Sequence, residues 1–418
     1  MEKNLKKNTV WNVIGTGINS FASLFFMLIV TRVNDINEAG IFTFAFSTAI
    51  LLNVIGTYAG RIYQVTERKN ITNKDYLVNR IITCAIMTVI ALGYVLLKRY
   101  DINKCIIILL LCFLKMLEAF CDVIYGFMQR NDELYKVGIS FTIKNIIGLL
   151  CFIVVDIVTR NLILAISTFI IVFIAVTVFY DFVQCSIKKQ IKEKMEWKNI
   201  INIFKFGFPT FCVTFLNMYL INASKYSIDG IMANDYQAIF GIIVMPATMM
   251  ILMAQFMVHP FLNIITENIK NDNYKQINKL LIKIGVLLFL LGVIAVVFCY
   301  FIGIYILEMI YGISLISYNT CLSVILIGSI FSALVSVITT VLIAMRYTFV
   351  QMVVYGIVSI ATLFISRILI KNYGVMGASV NYTLSMIVMF VLFLGIYLVL
   401  TQGKNKRIAL NKGKTEKD

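Results

Sequence analysis

The chain has 418 residues, 60% hydrophobic and 14% charged, with a formal net charge of +16 and a mean hydropathy of +0.89. A soluble domain carries about a quarter charged residues, so no water-soluble fold of this length is compatible with that composition. The apolar stretches run for about twenty residues without the two-residue alternation of barrel strands, which leaves membrane-spanning helices as the way to pair the backbone in hydrocarbon.

Twelve apolar runs fall at 10–31, 40–60, 81–97, 105–127, 138–159, 162–186, 204–224, 237–261, 284–307, 318–344, 349–370 and 375–400. Each is close to the ~20 residues that cross ~30 Å of hydrocarbon. The fold class expected is therefore all-α integral membrane, with about twelve transmembrane helices. Lys3, Lys6 and Lys7 precede the first run as in a signal peptide. That run, Val10 to Val30, exceeds a typical signal-peptide core and no small-residue cleavage site follows it, so it is expected to stay as the first span. The third run is short, between Arg80 and Lys98, and the fifth and sixth are parted only by Asp156, Arg160 and Asn161. Pro209, Pro246 and Pro260 all fall in runs seven and eight, and Pro246, well inside its run, is expected to kink a helix.

Twelve spans put both termini on one side, and the basic residues test that arrangement. Of the 37 Lys and Arg, 27 lie on the terminus side and 8 on the other, while Lys115 and Lys144 lie inside runs. The bias places both termini in the cytoplasm. Topology accounts for the basicity, so no nucleic-acid partner is expected. The most basic connection, Lys188–Lys198, sits near the middle of the chain and ends on Trp197–Lys198. It reads as an amphipathic cytoplasmic linker lying on anionic membrane lipids. The organisation expected is an N-terminal lobe at 1–187 with spans one to six, a basic linker at 188–203, a C-terminal lobe at 204–401 with spans seven to twelve, and a basic cytoplasmic tail at 402–418. Six spans per lobe give both lobes one orientation, hence a parallel repeat. Asn37–Phe42 and Asp235–Phe240, at the start of each lobe's second span, are a faint trace of it.

Nine scattered cysteines without a Cys-x-x-Cys pair, and a single histidine, His259, read as small hydrophobes and a lone imidazole. Neither a metal site nor a cofactor is expected. There is no phosphate-binding lysine loop, no ion-selectivity sequence and no arginine ladder, so the chain reads as a transporter that does not hydrolyse ATP, not as a channel.

Ionisable groups inside apolar runs cost at least ~2.5–3.5 kcal/mol on insertion scales, so they face a bundle interior or a wet cavity. Spacings of three and four put Lys115, Glu118 and Asp122 on one face of the fourth span. Lys144, about seven residues into the fifth span, is expected to meet Asp122 or Glu118. A substrate-facing site and a neutralised structural cluster joining spans four and five are both open. Other charges sit at span ends: Arg32, Lys225, Asp229 and Arg367 near the outer side, and Arg61, Asp181 and His259 near the inner side. For Arg61, Arg367 and His259 snorkelling to the interface is the plainer reading.

These features together resemble the oligosaccharide flippases of bacterial surface-polysaccharide pathways, the Wzx-like members of the multidrug/oligosaccharidyl-lipid/polysaccharide exporter superfamily. The resemblance spans nearly the whole chain. It is carried by Lys7-Asn-Thr-Val-Trp11-Asn12, Gly15, Thr31-Arg32, Glu38-Ala-Gly40-Ile-Phe42, Gly60-Arg61, Gln129-Arg130 and Tyr135. In the second half it is carried by Phe206-Gly-Phe-Pro209, Asn222-Ala-Ser-Lys225-Tyr-Ser-Ile-Asp229, Gln237-Ala-Ile-Phe240, Pro246 and Tyr373-Gly-Val-Met-Gly377-Ala378. The family implies two six-helix lobes around a central cavity of alternating access. Its cargo is an oligosaccharide repeat unit on undecaprenyl pyrophosphate, moved from the cytoplasmic to the outer leaflet for capsule, exopolysaccharide or O-antigen-type polymers. A polysaccharide polymerase and chain-length machinery would then act on the product. Arg32, Arg61, Lys115, Lys144 and Lys225 are the candidate head-group cations, with Lys225 and Arg32 first because they coincide with family motifs. Glu118, Asp122 and Asp229 are candidate coupling carboxylates or structural charge partners, and no catalytic residue is implied. A drug/cation antiporter of the same superfamily would favour carboxylates over these cations. An integral-membrane polysaccharide polymerase would need a long outer loop that this chain lacks.

Overall fold

A computed structural model describes the backbone of residues 2–58, 60–66, 71–185 and 193–415. Among the described residues there are twelve long helices, in agreement with the twelve apolar runs. They are α1 (Glu2–Val33), α2 (Ile36–Thr57), α3 (Asn73–Lys98), α4 (Ile102–Arg130), α5 (Leu134–Thr159) and α6 (Leu162–Gln184). The second six are α7 (Trp197–Ile228), α8 (Asn234–Val258), α9 (Tyr274–Tyr311), α10 (Asn319–Ala344), α11 (348–373) and α12 (375–415). Ten helical segments are long and apolar enough to cross a membrane by length and composition. The segment Thr348–Gln402 among them holds two helices, divided at Gly374, whose φ of 56° and ψ of −132° leave the helical region. The remaining helix, α4, is long and largely apolar but carries Lys104, Lys115, Glu118, Asp122 and Arg130.

The boundaries follow from polar caps set between apolar runs. Asp35, Asp101, Asn161 and Asn273 each accept a hydrogen bond from the backbone N–H three residues on, satisfying a donor that the helix start leaves open. Thr72 and Asp75 form a reciprocal capping box at the start of α3. Helices α3, α5 and α9 end on left-handed residues, Arg99, Arg160 and Gly312. Pro209 and Pro246 lie inside α7 and α8, which stay helical on both sides of each ring, and Pro260 lies in the 3₁₀ turn His259–Phe261. The side chain of His259, and Lys188, Lys189 and Lys192 of the basic connection, lie outside the described residues.

Two boundaries differ from expectation. The seventh helix starts at Trp197, inside the stretch assigned to the linker at 188–203. Just ahead of it the chain is tied to α3: Glu193 Oε2 accepts from Asn73 N at 2.7 Å, and Asp75 accepts from Glu196 N at 2.9 Å and Asn199 Nδ2 at 2.8 Å. A carboxylate that holds three backbone and amide donors organises a helix start that apolarity alone does not mark. The third helix likewise begins at Asn73, well before Arg80, because its first two turns are polar and capped.

The chain divides into two compact units. Met1–Met218 with Ala233–Ala238 form the first, and Tyr219–Met232 with Ile239–Asp418 the second. In the first unit, α1 and α5 touch backbone to backbone. A Cβ on Gly138 would lie 2.0 Å from the Trp11 carbonyl, so only glycine permits the crossing. Phe26 packs edge-on against Phe152 and Phe169, closing α1 on α5 and α6. The short segment Ala233–Ala238 joins this unit through Asn234, which donates to Asn37 Oδ1 at 2.8 Å and accepts from Lys104 Nζ at 3.0 Å. In the second unit a core of Ala254, Val258, Ile284, Leu288, Ala333 and Val337 brings α8, α9 and α10 together. There Ser224 Oγ donates to the Ala378 carbonyl at 2.8 Å, and Thr383 Oγ1 donates to the Val324 carbonyl at 2.6 Å.

Candidate functional site

The first unit encloses a polar chamber of about 270 Å³, just below the ~300–1,000 Å³ of typical small-molecule pockets. Asn19 and Ser23 of α1, Asn53 of α2, Lys115 and Glu118 of α4 and Asn145 of α5 line it, with Phe46 and Phe169 among its apolar walls. Lys115 Nζ donates to both Glu118 oxygens at 2.8 and 2.9 Å and sits 5.1 Å from the Phe46 ring centroid. Asn53 Nδ2 donates to the Lys115 carbonyl at 2.6 Å, and Asn145 Nδ2 donates to Asn19 Oδ1 at 3.1 Å. The Glu118 side chain keeps 30% of its surface exposed, so this ion pair is not fully withdrawn from the chamber. Three amides, an ammonium and a carboxylate supply donors and acceptors for a hydroxyl-rich group, and Phe46 supplies a flat apolar face.

The other charges of α4 and α5 separate from this chamber. Asp122 accepts from Arg80 Nη2 at 3.0 Å, and the same guanidinium donates to the Gly56 carbonyl at 3.0 Å, joining α2, α3 and α4. Lys144 does not meet Asp122 or Glu118. Its Nζ lies 2.6 Å from Asp181 Oδ2 and 2.9 Å from the Tyr125 hydroxyl, and the pair is 1% and 0% exposed. Tyr125 also bonds Ser140 at 3.0 Å, and Lys144 lies 4.0 Å from the Phe173 ring centroid. The partner comes from α6 because a π-helical turn, Thr177–Asp181, interrupts that helix and carries Asp181 inward. Sequence spacing does not reveal that turn. The sequence marks Asp181 only as an ionisable group near the end of a run, and Arg80 only as a charge at a run's edge. Neither pairing follows from positions alone, because each depends on which neighbouring helix faces which.

Arg32 is exposed at the end of α1, and Arg61 is half-buried in the short helix Gly60–Thr66. The 22 residues of α2 lie between them, about 33 Å of helix at 1.5 Å per residue, so the two guanidiniums sit at opposite ends of the first unit and do not share one ligand. In the second unit Lys225 and Asp229 are half-buried, one turn apart at the end of α7. The Asp229 N–H donates to the Lys225 carbonyl at 3.3 Å. Among the described residues no group of three His, Cys, Asp or Glu side chains has metal-binding geometry.

No family model matches the sequence. The chain is 22% identical over 400 residues to the capsular polysaccharide biosynthesis protein CapF of Staphylococcus aureus, covering 94% of this chain and 98% of that protein. An inward-facing multidrug-resistance MATE transporter of the MOP superfamily superposes with a TM-score of 0.70 at 12% identity, covering 94% of this chain and 99% of the other. The lipid II flippase MurJ in an inward closed conformation gives a TM-score of 0.66 at 15% identity, covering 96% and 92%. The chain has the twelve-helix, two-lobe MOP-transporter fold. A MOP transporter of Pyrococcus furiosus, described as having a binding pocket of reversed polarity, shares it at a TM-score of 0.61 and 11% identity, covering 96% of each chain. The sequence resemblance to polysaccharide flippases of this superfamily thus agrees with a curated capsule-biosynthesis relative and with transporter structures along the whole length.

Proposed function

We propose that this protein moves a short oligosaccharide on undecaprenyl pyrophosphate from the cytoplasmic to the outer leaflet of a bacterial cytoplasmic membrane. It does so by alternating access, feeding a capsule, exopolysaccharide or O-antigen-type polymerase and its chain-length machinery. The observation that carries this reading is the end-to-end alignment with a capsular polysaccharide biosynthesis protein on a chain of MOP-transporter fold. Both termini face the cytoplasm, following the bias of basic residues.

The residues suit an anionic head group with sugars attached. Arg61, at the end of α2 that the charge bias puts inside, meets the diphosphate first, and Arg32 meets it at the outer end. Lys115 and the three asparagines of the chamber contact sugar hydroxyls, while Lys225 with Asp229 supplies a cation from the second unit. Glu118 and Asp229 are the carboxylates through which an ion gradient would act. Lys144 and Asp122 serve as structural partners, since each ion pair is held among several helices. With the inside negative, outward movement of each anionic charge is favoured by ~2.3 kcal/mol per 100 mV, so the membrane potential contributes to the drive.

Deletion of the gene followed by analysis of membrane lipids tests the proposal. The expected result is accumulation of a cytoplasm-facing undecaprenyl-pyrophosphate oligosaccharide together with loss of surface polymer. Unchanged surface glycan with raised sensitivity to cationic dyes would overturn it in favour of a drug antiporter of the same fold.

A further inference from the structure

The second unit carries a cavity that the transport reading does not use. It measures about 440 Å³ and lies among α9, α10 and α12, with Ile282, Val286, Phe289, Leu334, Leu394 and Leu398 as walls. Ile282 is 66% exposed and Val286 53%, so the groove opens sideways toward lipid. Its polar end is closed by Asn278, whose Oδ1 accepts from the Tyr397 hydroxyl. Beside the ridge that starts at Asn278 and continues through apolar Ile282, Val286 and Leu290 of α9 runs a second ridge, Lys275, Lys279 and Lys283, at the same four-residue step and three positions earlier. All three lysines are exposed, and the one acidic residue of α9, Glu308, lies at the opposite end of the helix. The nearby Asp272 carboxylate is engaged by the Tyr274 hydroxyl at 3.3 Å. After α12 leaves the groove, the sequence continues with Lys404, Lys406 and Arg407.

A hydrocarbon slot open to the bilayer, with a row of cations at one end, is complementary to one amphiphile: an acidic lipid whose head lies at the interface. Basic pockets between helices on the cytoplasmic side bind such head groups, and each nearby lysine contributes measurably to the attraction. Long lysine stems can follow apolar surface while the ammonium reaches the interface. We infer that the groove between α9, α10 and α12 binds an anionic phospholipid of the leaflet on the terminus side, its phosphate held by Lys279 and Lys283 and one acyl chain lying along Ile282, Val286 and Phe289. The assignment rests on the charge bias that orients α9 and is independent of which cargo is carried.

Native mass spectrometry of the purified full chain in a neutral detergent, titrated with dioleoyl phosphatidylglycerol or dioleoyl phosphatidylcholine, tests it. One phosphatidylglycerol should stay bound where phosphatidylcholine does not. The Lys279→Gln, Lys283→Gln double variant should bind it about thirtyfold more weakly, from roughly fivefold per lysine. The corresponding double Lys→Arg variant should keep it. Gly285→Phe should expel the lipid with both lysines intact, because the ring points into the slot where a Cβ meets only Leu334 at 3.5 Å. Melting temperature without added lipid reports folding separately, and Gly285→Phe with the single lysine variants carries the test if the double variant is unstable. Equal retention of phosphatidylcholine, undiminished binding by the Lys→Gln variants, or equal competition by water-soluble glycerophosphoglycerol would overturn the inference. Displacement of phosphatidylglycerol by undecaprenyl phosphate at equal or lower concentration would also overturn it and assign the groove to an isoprenoid chain.

Discussion

The two units solve the same problem, tying membrane helices together where hydrophobic attraction between them is weak, with different chemistry. The first unit uses ions. Arg80–Asp122, Lys115–Glu118 and Lys144–Asp181 each sit among helices, and two of the three connect one helix to another. In the second unit neutral groups do much of the joining. Ser227 meets Ser366 at 2.6 Å, Thr362 meets Ser385 at 3.0 Å, Asn381 Nδ2 donates to Ser224 Oγ at 3.0 Å, and Gln351 Nε2 donates to the Thr339 carbonyl at 3.1 Å. The difference teaches where single residues matter. A buried ion that loses its partner keeps the full cost of desolvation, whereas a neutral interhelical bond contributes on average only ~0.6 kcal/mol and has neighbours of the same kind.

The contrast can be broken most sharply at Asp181. Asp181→Ala leaves the Lys144 ammonium enclosed and uncompensated, and should cost about 3–5 kcal/mol. Thermal unfolding and membrane abundance of a fluorescent fusion would report it. The double variant Lys144→Met, Asp181→Leu should recover most of that loss, because an apolar pair of similar volume needs no compensation. A stable Asp181→Ala protein would mean that the ion pair does not hold the first unit. Next in size is Gly138→Leu. The α1–α5 crossing leaves no room for a side chain, so overpacking of about 1–3 kcal/mol should appear as a lowered melting temperature. Normal stability there would place the crossing among the adjustable contacts.

Lys115→Ala separates function from structure. Its ion pair is partly open to the chamber, so abundance should change little while transport of the proposed lipid-linked oligosaccharide falls about tenfold, equivalent to ~1.4 kcal/mol. A parallel fall in abundance would make Lys115 a structural residue like Lys144. The smallest effect is expected in the second unit. Ser224→Ala removes two hydrogen bonds, to Ala378 and from Asn381, and should lower stability by only about 0.6–1.7 kcal/mol in total. A loss as large as that of Asp181→Ala would erase the distinction between the units.

Much of the architecture is legible in the sequence. Apolarity alone shortens the third helix because Asn73–Arg80 is polar, although the pattern Thr72-Asn-Lys-Asp75 is a capping signal that marks its true start. The site was legible only in part. Spacing groups Lys115 with Glu118, since residues three apart on one helix are neighbours wherever that helix lies. Asp122 belongs to the same face by spacing, yet Arg80 of α3 takes it. Spacing points Lys144 to Asp122 or Glu118, but its rotation toward α6 and the π turn that carries Asp181 are not local properties of either sequence.

By itself the sequence determined what depends on distance along the chain: that helices span and how many there are. These follow from hydrophobic length and backbone pairing in lipid, which act on each segment separately. Only the tertiary structure decided which buried charges are neighbours, which asparagines share a chamber with Lys115, and that an apolar slot lies beside the lysine ridge of α9. Those outcomes depend on how each helix is rotated against the next, and rotation is set by close contacts such as Gly138 on Trp11, between residues more than a hundred positions apart.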